Sequence, residues 1–395
     1  MTRPWRVVGL TALAVAFSQG VRTSFGVFVP TLEAEIGASR AWLGALAGLV
    51  FVLYGLAQPV VGSLADRFGA RRVMTLGLLL VAAGTALGSV ALTPIGFAAG
   101  WLFLATPGFA ATATATAAAA VSGAFAARGR ALGLLAAAFP IGGLVVGPLT
   151  VLALPALGWR ATLGIDAGIA ALGLAPLLAL GLGLAAGERV PRAVWSVREI
   201  ATAAADLWPL FIPYFVSGTA SGFVIVHFVA LAHDRAASTE LIAVAVGLLA
   251  GPNIVGALAS GWLTDRVPRG RLLAALYLCR AAAFALLLAD RTATVLIPFA
   301  ALSALFDFAN FAPAVSLAAE RLRARLGTGV VAGALSLLYS LGAALGATSA
   351  GFVRESGGTY DGAVVASVAA LVFSGLASLL LEWLPSSRRV PTSFL

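Results

Sequence analysis

Long apolar runs alternate with short polar gaps along the whole chain. Twelve runs emerge, at about 7–30, 41–63, 73–93, 95–125, 131–156, 160–186, 207–232, 239–263, 271–290, 293–319, 327–353 and 361–384. Each is near or above the roughly 20 apolar residues that a helix needs to cross a bilayer. Helices are the expected elements, because an open sheet edge in hydrocarbon leaves backbone donors and acceptors unpaired. The pattern predicts an all-α integral membrane protein of 12 transmembrane helices. The longest polar stretch, "GERVPRAVWSVREIATAAAD", falls between the sixth and seventh runs. It predicts a cytoplasmic linker over 187–206, joining a six-helix half at 1–186 to a second at 207–395. The opening "MTRPWRVVGLTALAVAF" has the basic-then-apolar order of a signal peptide. The apolar pattern resumes through "SFGVFVP", however, so the stretch reads as the first retained span.

Composition agrees: 61% of residues are hydrophobic and 10% charged, against roughly 45–50% and 25% in soluble domains. All 25 basic residues are arginine, and their placement explains the net charge of +9. With the N-terminus inside, the inner segments hold 18 arginines and the outer loops only five, namely Arg40, Arg160, Arg235, Arg291 and Arg354. That bias follows the positive-inside rule and predicts cytoplasmic termini in the inner or plasma membrane. The basic charge is therefore a topology signal and implies no nucleic acid.

Two segments at one offset expose an internal repeat. "GSLADRFGARR" at 62–72 returns as "GWLTDRVPRGR" at 261–271, so Gly62, Asp66, Arg67 and Arg72 align with Gly261, Asp265, Arg266 and Arg271 at an offset of 199. The same offset pairs Gly143 and Gly147 with Gly342 and Gly346. Parallel repeats of this kind place a substrate site between the halves near the middle of the membrane. A two-span hairpin with so short a connection needs Gly69 for a backbone conformation that other residues resist. Arg71 and Arg72 reach lipid phosphates, while Asp66 needs a partner that topology alone does not supply.

Over essentially its whole length the chain resembles the major facilitator superfamily. Gly62, Asp66, Arg67, Gly69, Arg71 and Arg72 match that family's loop motif G-x-x-x-D-R-x-G-x-R-R, and Gly143, Gly147 and Pro148 resemble its fifth-helix motif. The resemblance implies that Asp66, and by repeat Asp265 with Arg266, bridges the halves in one conformation near a helix N-terminus, where anions are favoured. The second copy departs, with Pro268 where the first has Gly69. The first-span stretch "SQGVRTSFGVFVPTLEAEIGASRAWLG" is similar to the oxalate/formate antiporter and monocarboxylate transporter branch. The arginine which that branch carries in its eighth helix is missing from "GPNIVGALASG".

Ionisable residues within spans are functional candidates by default. Arg22, read as lying toward the outer third of span 1, either faces a substrate carboxylate in bidentate fashion or reaches the headgroups. Asp307, with Phe306, Phe308, Asn310 and Phe311 expected around it, is either a proton carrier or the structural partner of Arg280 in span 9. His227 reads as a satisfied polar group or a relay, Asp166 as structural, and His233 as a loop residue. Tyr54, Gln58, Tyr214, Asn253 and Tyr339 add polar groups for substrate or for neighbouring helices.

A single cysteine, Cys279, excludes an internal disulfide, and two histidines offer no multi-ligand metal site. With no GxxxxGK[ST], HExxH or GxSxG pattern, neither ATP drive within the chain nor an enzyme is expected, and no cofactor is implied. The expectation is a secondary transporter, monomeric, working by alternating access. It moves a small organic anion, monocarboxylate-like, by proton symport or exchange. The alternative is proton-coupled efflux of a hydrophobic or cationic compound, with Asp307 as proton carrier.

Overall fold

A computed structural model describes residues 3–113, 116–117, 128–181, 207–322 and 328–383. Its secondary structure is helical throughout, with no strand among the described residues. Span 1 runs Arg3–Thr23 and resumes as Phe25–Ile36 after a turn at Ser24, further than the apolar run reached. Span 2 is Arg40–Phe68 and span 3 is Ala70–Ser89. Span 4 combines Pro94–Ala98, a π-helical Ala99–Ala105 and Thr106–Ala111.

Spans 5 and 6 form one helical element from Arg128, extended through Gly181, broken only at Gly158 with φ 75° and ψ 162°. That left-handed φ is open to glycine and costly for other residues. By length and composition, 11 helices among the described residues qualify as membrane spans. The longest, Ala137–Leu180, is two spans joined at Gly158, which makes twelve.

In the second half, span 7 is Trp208–Asp234, and span 8 is Thr239–Leu248 followed by Gly251–Thr264. Span 9 is Arg269–Ala289. Span 10 runs Leu296–Asp307 and Phe311–Leu322 around a single tight turn at Phe308–Asn310. Spans 11 and 12 are Thr328–Gly357 and Asp361–Leu379.

Glycines set the closest helix approaches. A methyl on Gly26 would strike the Ile225 carbonyl, and one on Gly346 the Thr219 carbonyl, so spans 1 and 7, and 11 and 7, pack backbone to backbone. Small residues allow this in lipid, where packing itself drives association. Span 2 lies along span 11 in the same manner: Gly351 packs on Arg40, Gly48 on Ala344, and Gly55 on Ser340. Further along, nothing among the described residues lies within 4 Å of a methyl placed on Gly62. The two helices thus touch from the face opposite the loop motif to mid-length, and lose contact toward the motif.

The loop motif itself turns at Gly69, with φ 86°, as a hairpin this short requires. In the second copy Pro268 adopts φ −52° and ψ 124°, an extended conformation that needs no glycine, and directly caps span 9.

Candidate functional site

Three of the helices at the centre are interrupted: span 1 at Ser24, span 8 at Leu249–Ala250 and span 10 at Phe308–Asn310. Interrupted backbone at membrane depth must be satisfied by neighbours or line a cavity. Both occur here. The Phe308 amide donates to the Asn253 side-chain oxygen at 3.1 Å. A cavity of about 100 Å³ opens between the halves, bounded by Thr23, Phe139, Gly143 and Gly147 from the first, and by Ser221, Asn253, Arg280 and Asp307 from the second.

The polar side of this cavity is an ion pair. Arg280 Nη1 lies 2.9 Å from Asp307 Oδ1; the arginine side chain is 1% exposed and the carboxylate 13%. Span 7 completes the cluster from its Ser217/Ser221 face. Arg280 donates to the Ser217 carbonyl and hydroxyl at 3.1 and 2.9 Å and to Ser221 Oγ at 2.8 Å. Ser221 donates to Asp307 Oδ1 at 2.7 Å, and the Tyr339 hydroxyl reaches the same oxygen at 3.3 Å. Asn310 donates to Ser217 Oγ at 2.7 Å. Arg280 Nε and the Tyr277 hydroxyl are buried without a partner among the described residues. A buried charge is stable only when paired and hydrogen-bonded, and Asp307 supplies the charge.

Arg22 has no such partner. Its Nε donates to Gln19 Oε1 at 2.9 Å, and Gln19 is fixed in turn by donating to the Phe109 carbonyl. The guanidinium lies 4.5 Å from the Tyr54 ring centre and 5.7 Å from that of Phe139. Among the described residues no carboxylate comes within ion-pair distance of it, and no hydrogen bond engages its Nη nitrogens. Because span 1 continues to Ile36, Arg22 lies near the middle of that helix. Phe139 faces both this arginine and the cavity, and its ring meets Phe308 edge-on at 5.5 Å. Phe308 continues to Tyr339 at 5.8 Å, and Tyr339 to Tyr214 at 5.9 Å, so an aromatic row crosses between the halves.

The remaining candidates are placed differently. Asn253, Asn310 and Tyr339 belong to the cluster just described. Of the rings expected around Asp307, Phe308 borders the cavity, whereas Phe306 packs against Leu272 and Leu276 and Phe311 is 39% exposed. Gln58 lies beside Tyr54 with its amide nitrogen buried. His227 is fully buried at the seam: the Ala347 carbonyl, at 2.8 Å from Nε2, can only accept, which puts a proton on that nitrogen, and Nδ1 lies 3.1 Å from the Tyr360 hydroxyl.

Gly143, Gly147 and Pro148 line the contact of span 5 with span 8, at Ala250, Val246 and Gly247 respectively. In the loop motif, Arg67 stacks on its neighbour Phe68, and Arg71 and Arg72 open span 3; the side chain of Asp66 lies outside the described residues. Arg266 covers Trp262, and the exposed Asp265 has no ion-pair partner among the described residues. The linker 187–206 also lies outside them.

A second polar network was not evident from sequence. On the face opposite the loop motif, Arg40 holds Asp234 bidentately at 2.7 and 2.9 Å, along with Glu33 at 2.7 Å. Arg354 reaches Asp234 at 3.0 Å, and Glu355 accepts from the Ala41 amide at 3.2 Å. Arg40 belongs to the first half, whereas Asp234, Arg354 and Glu355 belong to the second. Burial pushes the Tyr360 phenol beside them up to about 12, so it stays protonated between Arg40 and His227. Arg40 had counted only as one of five outer-loop arginines; its signal was a run of opposite charges at span ends.

Comparison with known proteins fits this architecture. Residues 11–347 match the family described as Major Facilitator Superfamily. Monocarboxylate transporter 13 of Rattus norvegicus is 28% identical over 391 residues, spanning 94% of this chain and 87% of the relative. An uncharacterised MFS-type transporter of Bacillus subtilis is 26% identical over 271 residues, spanning 66% of this chain and 65% of the relative. The solved structure of a bacterial homologue of the human lysosomal transporter Spinster, inward-facing and unoccupied, superposes with a TM-score of 0.76 at 16% identity. It covers 97% of this chain and 98% of its own, and an occupied inward-facing form gives 0.75. At that identity the likeness concerns the fold. With twelve spans in two repeated halves, the loop motif at the first hairpin and the family match over most of its length, the chain belongs to the major facilitator superfamily.

Proposed function

We propose that the protein moves a small monovalent organic anion, monocarboxylate-like, by alternating access with proton symport or exchange. The observation that carries this reading is the uncompensated guanidinium of Arg22. Around the centre, Arg280 and Asp307 cancel, and Arg22 leaves one positive charge with no carboxylate partner among the described residues. A guanidinium whose Nη nitrogens are unengaged binds a carboxylate through two parallel hydrogen bonds. The Tyr54 and Phe139 rings hold it in place by cation–π contact. One net charge matches one monovalent anion. Supporting the transport cycle, spans 2 and 11 touch on one face and part toward the loop motif, which in this reading is the cytoplasmic face. Two relatives named monocarboxylate transporters add to the support.

Asp307 carries the proton in this scheme. Protonating it releases Arg280 from its counter-charge, so proton and anion entering together keep the centre's charge balanced. Uptake of labelled lactate into proteoliposomes with an inward proton gradient tests the reading. Arg22→Ala is expected to abolish uptake and Arg22→Lys to retain part of it. Wild-type uptake by Arg22→Ala would refute the assignment. The efflux alternative draws on the apolar remainder of the cavity; gradient-driven expulsion of a cationic dye, with no anion uptake, would favour it.

A further inference from the structure

Span 2 meets the second half on the face opposite the loop motif, and the His227 ring lies under that contact. A methyl on Gly44 would strike the Ala347 carbonyl and stand 3.2 Å from His227 Nε2. One turn earlier on span 2, Arg40 holds Asp234 and places Nη1 3.4 Å from the Tyr360 hydroxyl. One turn beyond Ala347 on span 11, Gly351 packs on the Arg40 carbonyl. A single turn of the first half therefore both covers His227 and carries the arginine that ties this face together.

Beneath that turn the hydrogen bonds run one way. Arg40 donates to Tyr360, Tyr360 donates to His227 Nδ1 at 3.1 Å, and Nε2 donates to the Ala347 carbonyl at 2.8 Å. The chain is complete only while Nδ1 carries no proton, because a protonated imidazole is a donor at both nitrogens. Tyr360, 2% exposed, would then face two donors, with its own hydroxyl proton left without an acceptor among the described residues. The imidazolium would also be a buried charge lacking a counter-charge. The charged groups on the surrounding elements are engaged elsewhere. Arg40 holds Glu33 of span 1 and Asp234 at the end of span 7, and on span 11 Arg354 joins Asp234 while Glu355 accepts from the Ala41 amide. Asp361 of span 12 pairs with Arg291, and Asp307 of span 10 with Arg280. Glu240 of span 8 and His233 of span 7 are exposed.

We propose that His227 is a proton-binding site of this face: the closed arrangement excludes a second proton from its ring, the open one admits it, and acid on that side therefore opens the gate. Parting of spans 2 and 11 lifts Gly44 off the ring and carries Arg40 away, so water reaches Nδ1 and the nearest positive charge leaves. The site is distinct from Asp307 and holds whatever the cavity carries. An imidazole reached by water takes its proton near 6.5. A proton bound only by the open form raises the opening constant toward tenfold for each pH unit below that value, about thirtyfold from roughly pH 7.5 to roughly pH 5.

The experiment spin-labels a Cys279→Ser protein at Leu92→Cys and Ser356→Cys, exposed positions on this face, one in each half. Pulsed dipolar spectroscopy at the same two pH values reads the distance between the halves. The ratio of long to short distances should rise about thirtyfold in acid. It should stay constant in His227→Gln, whose amide supplies a neutral donor and acceptor. Asp234→Asn, which loosens the face without touching the ring, should add open population at both pH values and keep the acid response. The chain has two histidines, so His233→Gln leaves the His227 ring as the one histidine signal in the magnetic resonance spectrum of histidine-labelled protein. That signal should turn to the imidazolium form over the pH range in which the face opens, which decides the matter if His227→Gln does not fold. Distances that ignore pH, an acid response undiminished in His227→Gln, or a ring that stays neutral while the face opens overturns the proposal.

Discussion

Removing one partner of the central ion pair should cost far more than removing both. Asp307→Asn leaves Arg280 at 1% exposure with no counter-charge. Breaking a buried pair in this way costs about 3–5 kcal/mol, because the orphaned charge remains desolvated. Here the Ser217 carbonyl and two serine hydroxyls still accept from the guanidinium, which puts the expected cost near the lower end, about 3 kcal/mol. That is roughly two decades in the unfolding equilibrium. Replacing both partners by apolar groups, Arg280→Met with Asp307→Leu, removes the buried charge altogether and should return stability to within about 1 kcal/mol of wild type. Thermal unfolding of the purified protein in detergent reads the contrast. Arg22→Ala provides the reference: it forfeits one hydrogen bond to Gln19 and two ring contacts, about 1 kcal/mol. If Asp307→Asn unfolds with wild type, or if the double variant is no more stable than the single one, then the pair is not a buried charge pair and the electrostatic account of the site fails.

The face opposite the loop motif gives a second test. Asp234→Asn removes the acceptor shared by Arg40 and Arg354, a partly exposed contact worth about 1 kcal/mol. In a Cys279→Ser protein bearing Val246→Cys, alkylation of the new cysteine should speed up about fivefold, and an unchanged rate would show that these charges do not hold that face shut. Gly256 and Gly261 contrast in packing: a methyl on Gly256 strikes the Leu305 carbonyl, while at Gly261 it meets nothing within 4 Å among the described residues. Gly256→Ala should lower the unfolding temperature and folded yield, and Gly261→Ala should leave both unchanged. Gly62 is likewise open in this conformation. If its face closes against the other half during transport, Gly62→Leu should fold normally and slow uptake at least tenfold; undiminished uptake would remove it from the gate.

The spans were legible because lipid imposes one rule on every stretch of backbone that crosses it. All twelve apolar runs became helices over their described residues, and the break between spans 5 and 6 fell at Gly158, inside the gap the pattern left. Helix ends were less legible: span 1 gains residues through Ile36 because Glu33 and Glu35, polar in sequence, are engaged by Arg40, Trp159 and Arg160. The chemistry was legible residue by residue but not in its pairing. Arg280 and Asp307 stand out as charges in oil, yet whether 27 residues of separation bring them together depends on how spans 9 and 10 face one another. Phe306 illustrates the converse, since neighbours in sequence on a helix point in different directions. Ser217 and Ser221 escaped notice because serine is common in spans, and only the arrival of Arg280 makes these two distinctive.

The offset of 199 that relates the halves explains why chemistry appears where it does. It carries Val81 to Arg280 and Gly108 to Asp307. In the first half those two positions touch: a methyl on Gly108 would stand 2.7 Å from the Val81 amide and 2.8 Å from its side chain. In the second half the corresponding positions form the ion pair. One helix contact, inherited by both halves, thus serves as tight apolar packing in one and as buried charge in the other. The third member runs the opposite way. Ser221, which bridges the pair, corresponds to Arg22, the cation that lacks a partner. Around the same pseudo-symmetric triad, then, the first half carries one isolated positive charge and the second half carries a cancelled pair. That asymmetry gives a mobile anion a single charged anchor and leaves the second half a separate group to hold a proton. Moving the lone cation to the equivalent position of the second half tests the division. Ser221→Arg with Arg22→Ser moves the lone cation across the cavity next to Arg280, where two guanidinium groups share one carboxylate. Lactate uptake should then be lost although the net charge at the centre is unchanged; retained uptake would mean that total charge, and not the place of Arg22, attracts the anion.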